Sequence, residues 1–244
     1  MITSHNTFAH VDNLNDFFKG IDNISTNKTL IVIEIGYWLE VVKNNWFDTI
    51  YHEHHDYHSL MPLVKFFKKF QYNIIDYKIT KPQGGSLMVF LKKNIKFKIY
   101  KKIEKQIALE KKCGLYNVMK YKEISNKLQK IRNSILKTIY QYKKNNKLIC
   151  AFGSPTKSVT LLSFLKLKKN TIKYIYEDNN LKCNLFNPYE NIPIVSSKLI
   201  KKHQPDIIII LSWNFAKLII KNTKKKLKKD IIFIVPLPRP YIVK

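Results

Sequence analysis

Residues 46–60 read WFDTIYHEHHDYHSL and hold four of the chain's seven histidines, beside Tyr51, Glu53, Asp56 and Tyr57. Three readings compete for this crowd of titratable side chains: a metal site, a proton-transfer site, or a polar loop without chemistry. As a metal site it has ligands enough, and His54 with His58 has the i, i+4 spacing of two helical ligands. The order HEHHD is nevertheless not HExxH, because Asp56 stands where the second histidine belongs, and only the lone His203 follows downstream. For proton transfer, an imidazole that titrates near neutrality and is oriented by a carboxylate or phenol can take a proton from carbon beside a carbonyl. Tyr51, Glu53 and His54 are residues of the required types.

A second candidate lies at GSPTKS (153–158), where a strand-like run meets a helix-like one. Backbone N–H groups and Lys157 there suit an anion. The run lacks the second glycine of GxxxxGKS and the spacing of GxGxxG, so it reads equally as a turn touching a substrate phosphate or as plain strand-to-helix punctuation.

The elements that must carry these residues alternate between strand and helix. Leu14, Phe17 and Phe18 recur at helical spacing behind Asp12 as N-cap, and TLIVIEIGY (29–37) has the β-branched continuity of a strand buried on both faces of a parallel sheet. Ser59 is placed to cap a helix whose apolar side holds Leu60, Leu63, Val64, Phe66 and Phe67. YNIIDYKIT (72–80), a turn around KPQGG, and SLMVFLKKN (86–94) read as an antiparallel pair. Residues 96–146 are Lys-rich and helical, with Gly114 as the break, and show no sustained heptad. Buried strands follow at 148–153, 172–177, 206–211 and 230–235, with a helix that has Pro155 near its first turn and further helices near 196–203 and 214–228, the pattern of a parallel sheet covered on both faces.

The fold class read from this is α/β: an incomplete Rossmann-like sheet over 1–95, a helical connector over 96–146, and a second small Rossmann-like parallel-sheet domain over 147–244. At 244 residues and 45% hydrophobic content the chain can bury a sizeable core. Its formal charge of +27 suggests nucleic acid or an anionic surface. The basic residues are almost all lysine, with Arg132 and Arg239 the only arginines, amid abundant Asn and Ile. That is the imprint of an A+T-rich coding sequence, which favours solvated charge over nucleic-acid recognition; a basic binding protein stays as the alternative from another class. Cys113, Cys150 and Cys183 make neither a disulfide framework nor a Cys-x-x-Cys zinc pair, and no apolar run reaches the length of a membrane span, so a cytoplasmic location without membrane partners is expected.

Taken in order, NTFAHVDNLNDFFKGI, TLIVIEIGYW, FDTIYHEH, PQGGSLMVFL, AFGSPTKSVTLL, EDNNLKCNLFNPYENIPI and HQPDIIIILSWN resemble the sugar C-methyltransferase family across nearly the whole chain. The resemblance implies S-adenosyl-L-methionine as cofactor and a nucleotide-linked ketodeoxysugar as substrate. It implies His54 as the base that forms an enolate, with Tyr51 and Glu53 shaping the pocket or orienting that base. It further implies His10, His52 and Lys157 near substrate, Asn6 on the cofactor loop, and no catalytic metal. His55 and His58 stand where the family usually carries other residues and are expected at the surface.

The departures are specific. The family's zinc-binding cysteine domain and Gly-rich cofactor turn have no counterpart in this sequence, which aligns from about the fourth strand of the methyltransferase sheet and is expected to retain its last three. One half of a split enzyme, acting with a partner chain that carries the rest, and an inactive remnant are both compatible with that. Asn184 and Tyr189 stand where the family favours Gly, and Glu177 where it favours Asp, so turns needing positive φ are expected to be strained there.

Overall fold

The structure is a computed structural model in which residues 1–80, 85–93, 96–227 and 229–244 are described. They form two compact units, Met1–Asn44 with His52–Glu123, and Asn45–Tyr51 with Ile124–Lys244. The helical stretch expected over 96–146 is divided between them.

In the first unit a four-stranded sheet runs β1 (Ile2–His5), β2 (Ile31–Gly36), β4 (Ser86–Lys93), β3 (Tyr72–Thr80). β2 pairs in parallel with β1 but antiparallel with β4, and β3 and β4 form the expected antiparallel pair. The β-branched run therefore marks a strand buried on both faces, as expected, but in a mixed sheet and not a parallel one. β1 adds a strand to the three anticipated. Most of the expected turn KPQGG, residues 81–84, lies outside the described residues.

Helices α1 (Leu14–Asn23), α2 (Trp38–Asn44), α3 (Leu60–Lys68) and α4 (Lys101–Lys112) belong to this unit. Phe8, Phe18 and Phe67 are fully buried, and their rings, with those of Phe66 and Phe70, meet at centroid distances of 4.9–6.0 Å. Burying one such ring contributes roughly 1.5–3 kcal/mol, so this aromatic layer is a main reason the two Phe-rich segments fold as helices. The N-cap of α1 is Asn13, whose side chain accepts from Asp16 N at 3.1 Å, not Asp12.

Ser59 occupies the N-cap position of α3 but does not cap it. Its hydroxyl lies 3.0 Å from the Tyr116 hydroxyl, and the fully buried Glu110 of α4 takes over the helix end. That carboxylate accepts from Leu60 N at 2.7 Å, from Met61 N at 3.3 Å, from the Tyr37 hydroxyl at 2.8 Å and from the Tyr116 hydroxyl. A charge inside a core is tolerated only with such full hydrogen bonding, and the positive end of a helix is a natural place for it.

Helix α5 (Val118–Lys144) follows Gly114, whose φ of +76° ends the preceding helix as expected. The second unit's sheet runs β11 (Tyr241–Val243), β10 (Ile232–Val235), β9 (Ile207–Ile210), β5 (Ile149–Phe152), β6 (Ile175–Glu177), β8 (Ile192–Ser196), β7 (Phe186–Asn187). The five middle strands, β8 to β10, are parallel, and the two edges are antiparallel. Alternation along each strand divides the core. Ile149, Ala151, Ile207 and Ile209 face α5 and α6 (Ser158–Leu165), while Cys150, Phe152, Ile208 and Ile210 face α7 (Ile200–His203) and α8 (Ala216–Lys224).

The four strands expected here are present; β7, β8 and β11 are additional. Pro155 lies in the turn before α6, where its carbonyl accepts from Ser158 N at 2.8 Å. Asn184 does adopt a positive φ of +67°, which asparagine tolerates. Tyr189 does not; the left-handed conformations fall on Glu190 and Asn191, at +60° and +49°.

Candidate functional site

The histidine-rich loop runs from the end of the Asn45–Tyr51 segment into α3, and in the first unit it lies against the loop after β1. His55 N and Asp56 N both donate to Ala9 O, at 2.9 and 3.4 Å. The chain leaves β1 through Asn6, whose φ of +52° turns it sharply and whose N–H donates to Glu34 O at 2.9 Å. That turn brings His10 to the loop. Its Nδ1 lies 2.7 Å from Glu53 O, and because a carbonyl only accepts, Nδ1 carries the proton and the lone pair of the neutral ring sits on Nε2. The His10 and His54 rings meet edge to face with centroids 4.9 Å apart.

Around this pair, Tyr57 lies 6.3 Å from His54 and stacks obliquely on Trp38 at 4.8 Å. Trp38 Nε1 donates to the Tyr121 hydroxyl at 2.9 Å. His52 Nε2 is 4.0 Å from the Glu53 carboxylate. His55 lies at the surface as expected, tied to Asp12 by an exposed Nδ1–Oδ1 contact of 2.8 Å.

His58 is not at the surface as expected. It is 6% exposed, packs 5.3 Å from the Phe8 ring, and its Nε2 is buried without a partner among the described residues. Burial pushes its pKa down, so the ring is neutral and serves as core. The backbone explains its placement: the carbonyl of His58 accepts from Trp38 N at 2.9 Å, and the residue bridges to Tyr37 beside β2.

Beside Asn6 stands a group that the sequence reading passed over. His5 Nδ1 lies 2.8 Å from Glu34 Oε2, and the Thr80 hydroxyl donates to Glu34 Oε1 at 2.8 Å. The His5 hydrogen bond, then that of Thr80, hold the Glu34 carboxyl below the usual carboxylate range against burial, which acts the other way. The available signal was the lone acid inside IVIEIG, since a carboxylate in a buried strand needs partners.

Tyr51 and Lys157 belong to the second unit. There the Lys157 ammonium is committed to an internal cluster, 3.8 Å from Asp48 Oδ2, 3.2 Å from Asn214 Oδ1 and 4.5 Å over the Trp213 ring. Trp213 Nε1 donates to Asp48 Oδ2 at 2.6 Å. Burial raises the pKa of Asp48 and lowers that of Lys157, with their mutual attraction opposing both shifts. The cluster pins the Asn45–Tyr51 segment onto the second unit, helped by Phe47 against Phe164 at 4.3 Å. Among the described residues no three His, Cys, Asp or Glu side chains are placed to hold a metal ion, and no helix is long and apolar enough to cross a membrane.

Residues 81–238 match the family described as the C-methyltransferase C-terminal domain. The chain belongs to that family. The C-methyltransferase NovU of Streptomyces niveus is 29% identical over 244 residues, which is 100% of this chain and 58% of that protein. The match to NovU thus includes the loop with His10, Glu53 and His54, which precedes the family domain. The chain spans somewhat more than half the length of the relative it matches.

Proposed function

We propose that this chain supplies the substrate-facing part of an S-adenosyl-L-methionine-dependent C-methyltransferase that acts on a nucleotide-linked ketodeoxysugar. The observation that carries the reading is the His10–His54 pair, with His10 locked in one tautomer by Glu53 O at 2.7 Å, in a chain of this family.

In this reading a ring nitrogen of His54 removes the proton from the sugar carbon next to the ketone, and the electron pair passes to the ketone oxygen. A ring N–H of His52 donates to that oxygen, lowering the energy of the enolate. His10 orients the base through the ring contact, and Tyr57, stacked on Trp38, flanks it. When the electrons return, the carbon forms its new bond to a methyl group. S-adenosyl-L-methionine, when bound, would supply that methyl as an electrophile on sulfonium, the methyl–sulfur bond breaking with its electron pair left on the sulfur.

The described residues fit this cofactor along one edge. Asn6 turns out of β1 in a left-handed conformation, and the buried Ser4 Oγ two residues before it has no partner among the described residues. Among the described residues no Gly-rich turn accompanies them, and in this reading a second polypeptide completes the cofactor site.

The test is methyl transfer to a nucleotide-linked ketosugar, with the chain combined with a polypeptide that provides the remaining portion of a NovU-like enzyme. Replacing His54 by Ala removes a general base and is expected to lower turnover by about 10²–10⁴-fold with little change in substrate affinity. Undiminished transfer by His54→Ala, or none by the combined native chains, would count against the reading.

A further inference from the structure

The second unit raises apolar side chains out of a basic surface. Phe215 and Leu218 lie one turn apart at the start of α8 and are 64% and 57% exposed. They stand on one side of a crevice of about 670 Å³ at the carboxyl ends of β5 and β6, and Asn179 and Lys182, in the loop after β6, stand on another. Beside Lys182 on that loop, Leu181 is 86% exposed. Large apolar side chains held out in water on two elements that border one crevice mark a contact surface.

The charge around them is of one sign. The run NFAKLIIKNTKKKLKK (214–229) holds seven lysines and no acid. Lys224, Lys226 and Lys229 donate to acceptors of the protein, at Lys244 O, Ser197 Oγ and Asp206 Oδ1. Lys217, Lys221 and Lys225 are exposed, and helical spacing sets them around Leu218 on the outer side of α8. The acids of the crevice are engaged in hydrogen bonds: Glu177 accepts from Ser154 N, Asp178 N and Asn179 N, and Asp178 accepts from the Ser197 hydroxyl.

Lysines around projecting Leu and Phe side chains match the boundary of an anionic bilayer, where ammonium groups meet lipid phosphates and the apolar tips enter the acyl layer. Nucleic acid fits this surface less well. Residues 178–191 and 214–229 contain no arginine for bidentate phosphate and base contacts, and Leu181 and Leu218 offer no ring on which a base could stack. An acidic protein would need a hollow shaped to each tip, whereas a bilayer needs no shape complement. No helix of the described residues is long and apolar enough to cross a membrane, and a peripheral contact requires none.

We propose that this face of the second unit docks on an anionic lipid surface, with Phe215, Leu218 and Leu181 entering the bilayer boundary and Lys217, Lys221 and Lys225 meeting the headgroup phosphates. The inference rests on no part of the methyl-transfer reading, and its readout is binding to lipid alone.

The experiment is co-sedimentation of the full chain with vesicles of phosphatidylcholine and of its equal mixture with phosphatidylglycerol, at physiological ionic strength. The expected result is binding to the mixed vesicles at least about tenfold tighter than to the neutral ones, weakening as salt is raised. A lysine close to an anionic bilayer contributes about a fivefold gain, so Lys217→Gln/Lys221→Gln/Lys225→Gln should weaken binding about tenfold or more. Phe215→Ala/Leu218→Ala should weaken it about tenfold as well. Both variants alter exposed residues, and native circular dichroism checks that they fold. The control Lys127→Gln/Lys130→Gln/Lys137→Gln removes the same charge from exposed positions of α5 and should keep most of the affinity. No binding of folded protein to the mixed vesicles, equal binding to both kinds, an equal loss in the α5 control, or undiminished binding by Phe215→Ala/Leu218→Ala overturns the proposal. Retention on single-stranded RNA with no binding to vesicles also overturns it and gives the surface to nucleic acid.

Discussion

Replacing Glu110 by Ala tests how the histidine-rich loop is anchored, because that carboxylate, and not the Ser59 hydroxyl, closes the start of α3. The change leaves four donors without their acceptor. Two of them, Leu60 N and the Tyr37 hydroxyl, belong to residues that are 0% exposed and cannot turn to water. Met61 N and the Tyr116 hydroxyl sit in partly exposed residues and can be rehydrated. At roughly 1–3 kcal/mol for each buried donor left unsatisfied, the loss is about 2–6 kcal/mol, reduced by the relief of no longer burying a charge. We expect about 3 kcal/mol, a large share of a domain stability of roughly 5–15 kcal/mol. Ser59→Ala loses only a hydroxyl contact with Tyr116 and should cost about 1 kcal/mol or less. Urea unfolding of both variants gives the comparison, and hydrogen exchange at the Leu60 and Met61 amides locates it. A shift for Glu110→Ala no larger than that for Ser59→Ala, or unchanged protection at Leu60, would refute the argument.

Two further outcomes follow from single contacts. Gly153→Ala puts a methyl group 2.0 Å from Ser212 Oγ on a backbone with φ +88°, so the β5 turn must shift; a thermal melt should register a loss of about 1–3 kcal/mol. His5→Ala removes the first of the bonds that depress the Glu34 pKa. A depressed carboxylate contributes stability that is fully present above its ordinary value of 4.5 and is lost as pH falls through the lower folded value. The native protein should therefore lose more stability than His5→Ala between pH 7 and about pH 3.5, as read from urea midpoints at each pH. Equal losses would show that His5 does not hold Glu34.

Much of this was legible in the sequence because it rests on local periodicity. The β-branched runs marked buried strands, Gly114 marked a helix break, and the order of short motifs marked the family. Residue types near Tyr51–His54 also offered proton chemistry, which stands as a proposal. What local pattern cannot carry is the partner of a given atom. IVIEIG says that Glu34 is buried but not that His5 and Thr80 satisfy it. Ser59 has the right type for a cap, yet Glu110, fifty-one residues later in the numbering, reaches the helix end first. His55 and His58 are alike in sequence; packing alone put one on Asp12 at the rim and the other against Phe8 in the core. The mixed pairing of β2 was hidden for the same reason, since burial on both faces constrains a strand's side chains and not the direction of its neighbours. Sequence by itself therefore determined which segments are buried and which chemistry is on offer, through short-range periodicity and residue type. Tertiary structure decided which histidine meets which acceptor and where a crevice opens, because hydrogen bonds and packing join atoms far apart along the chain.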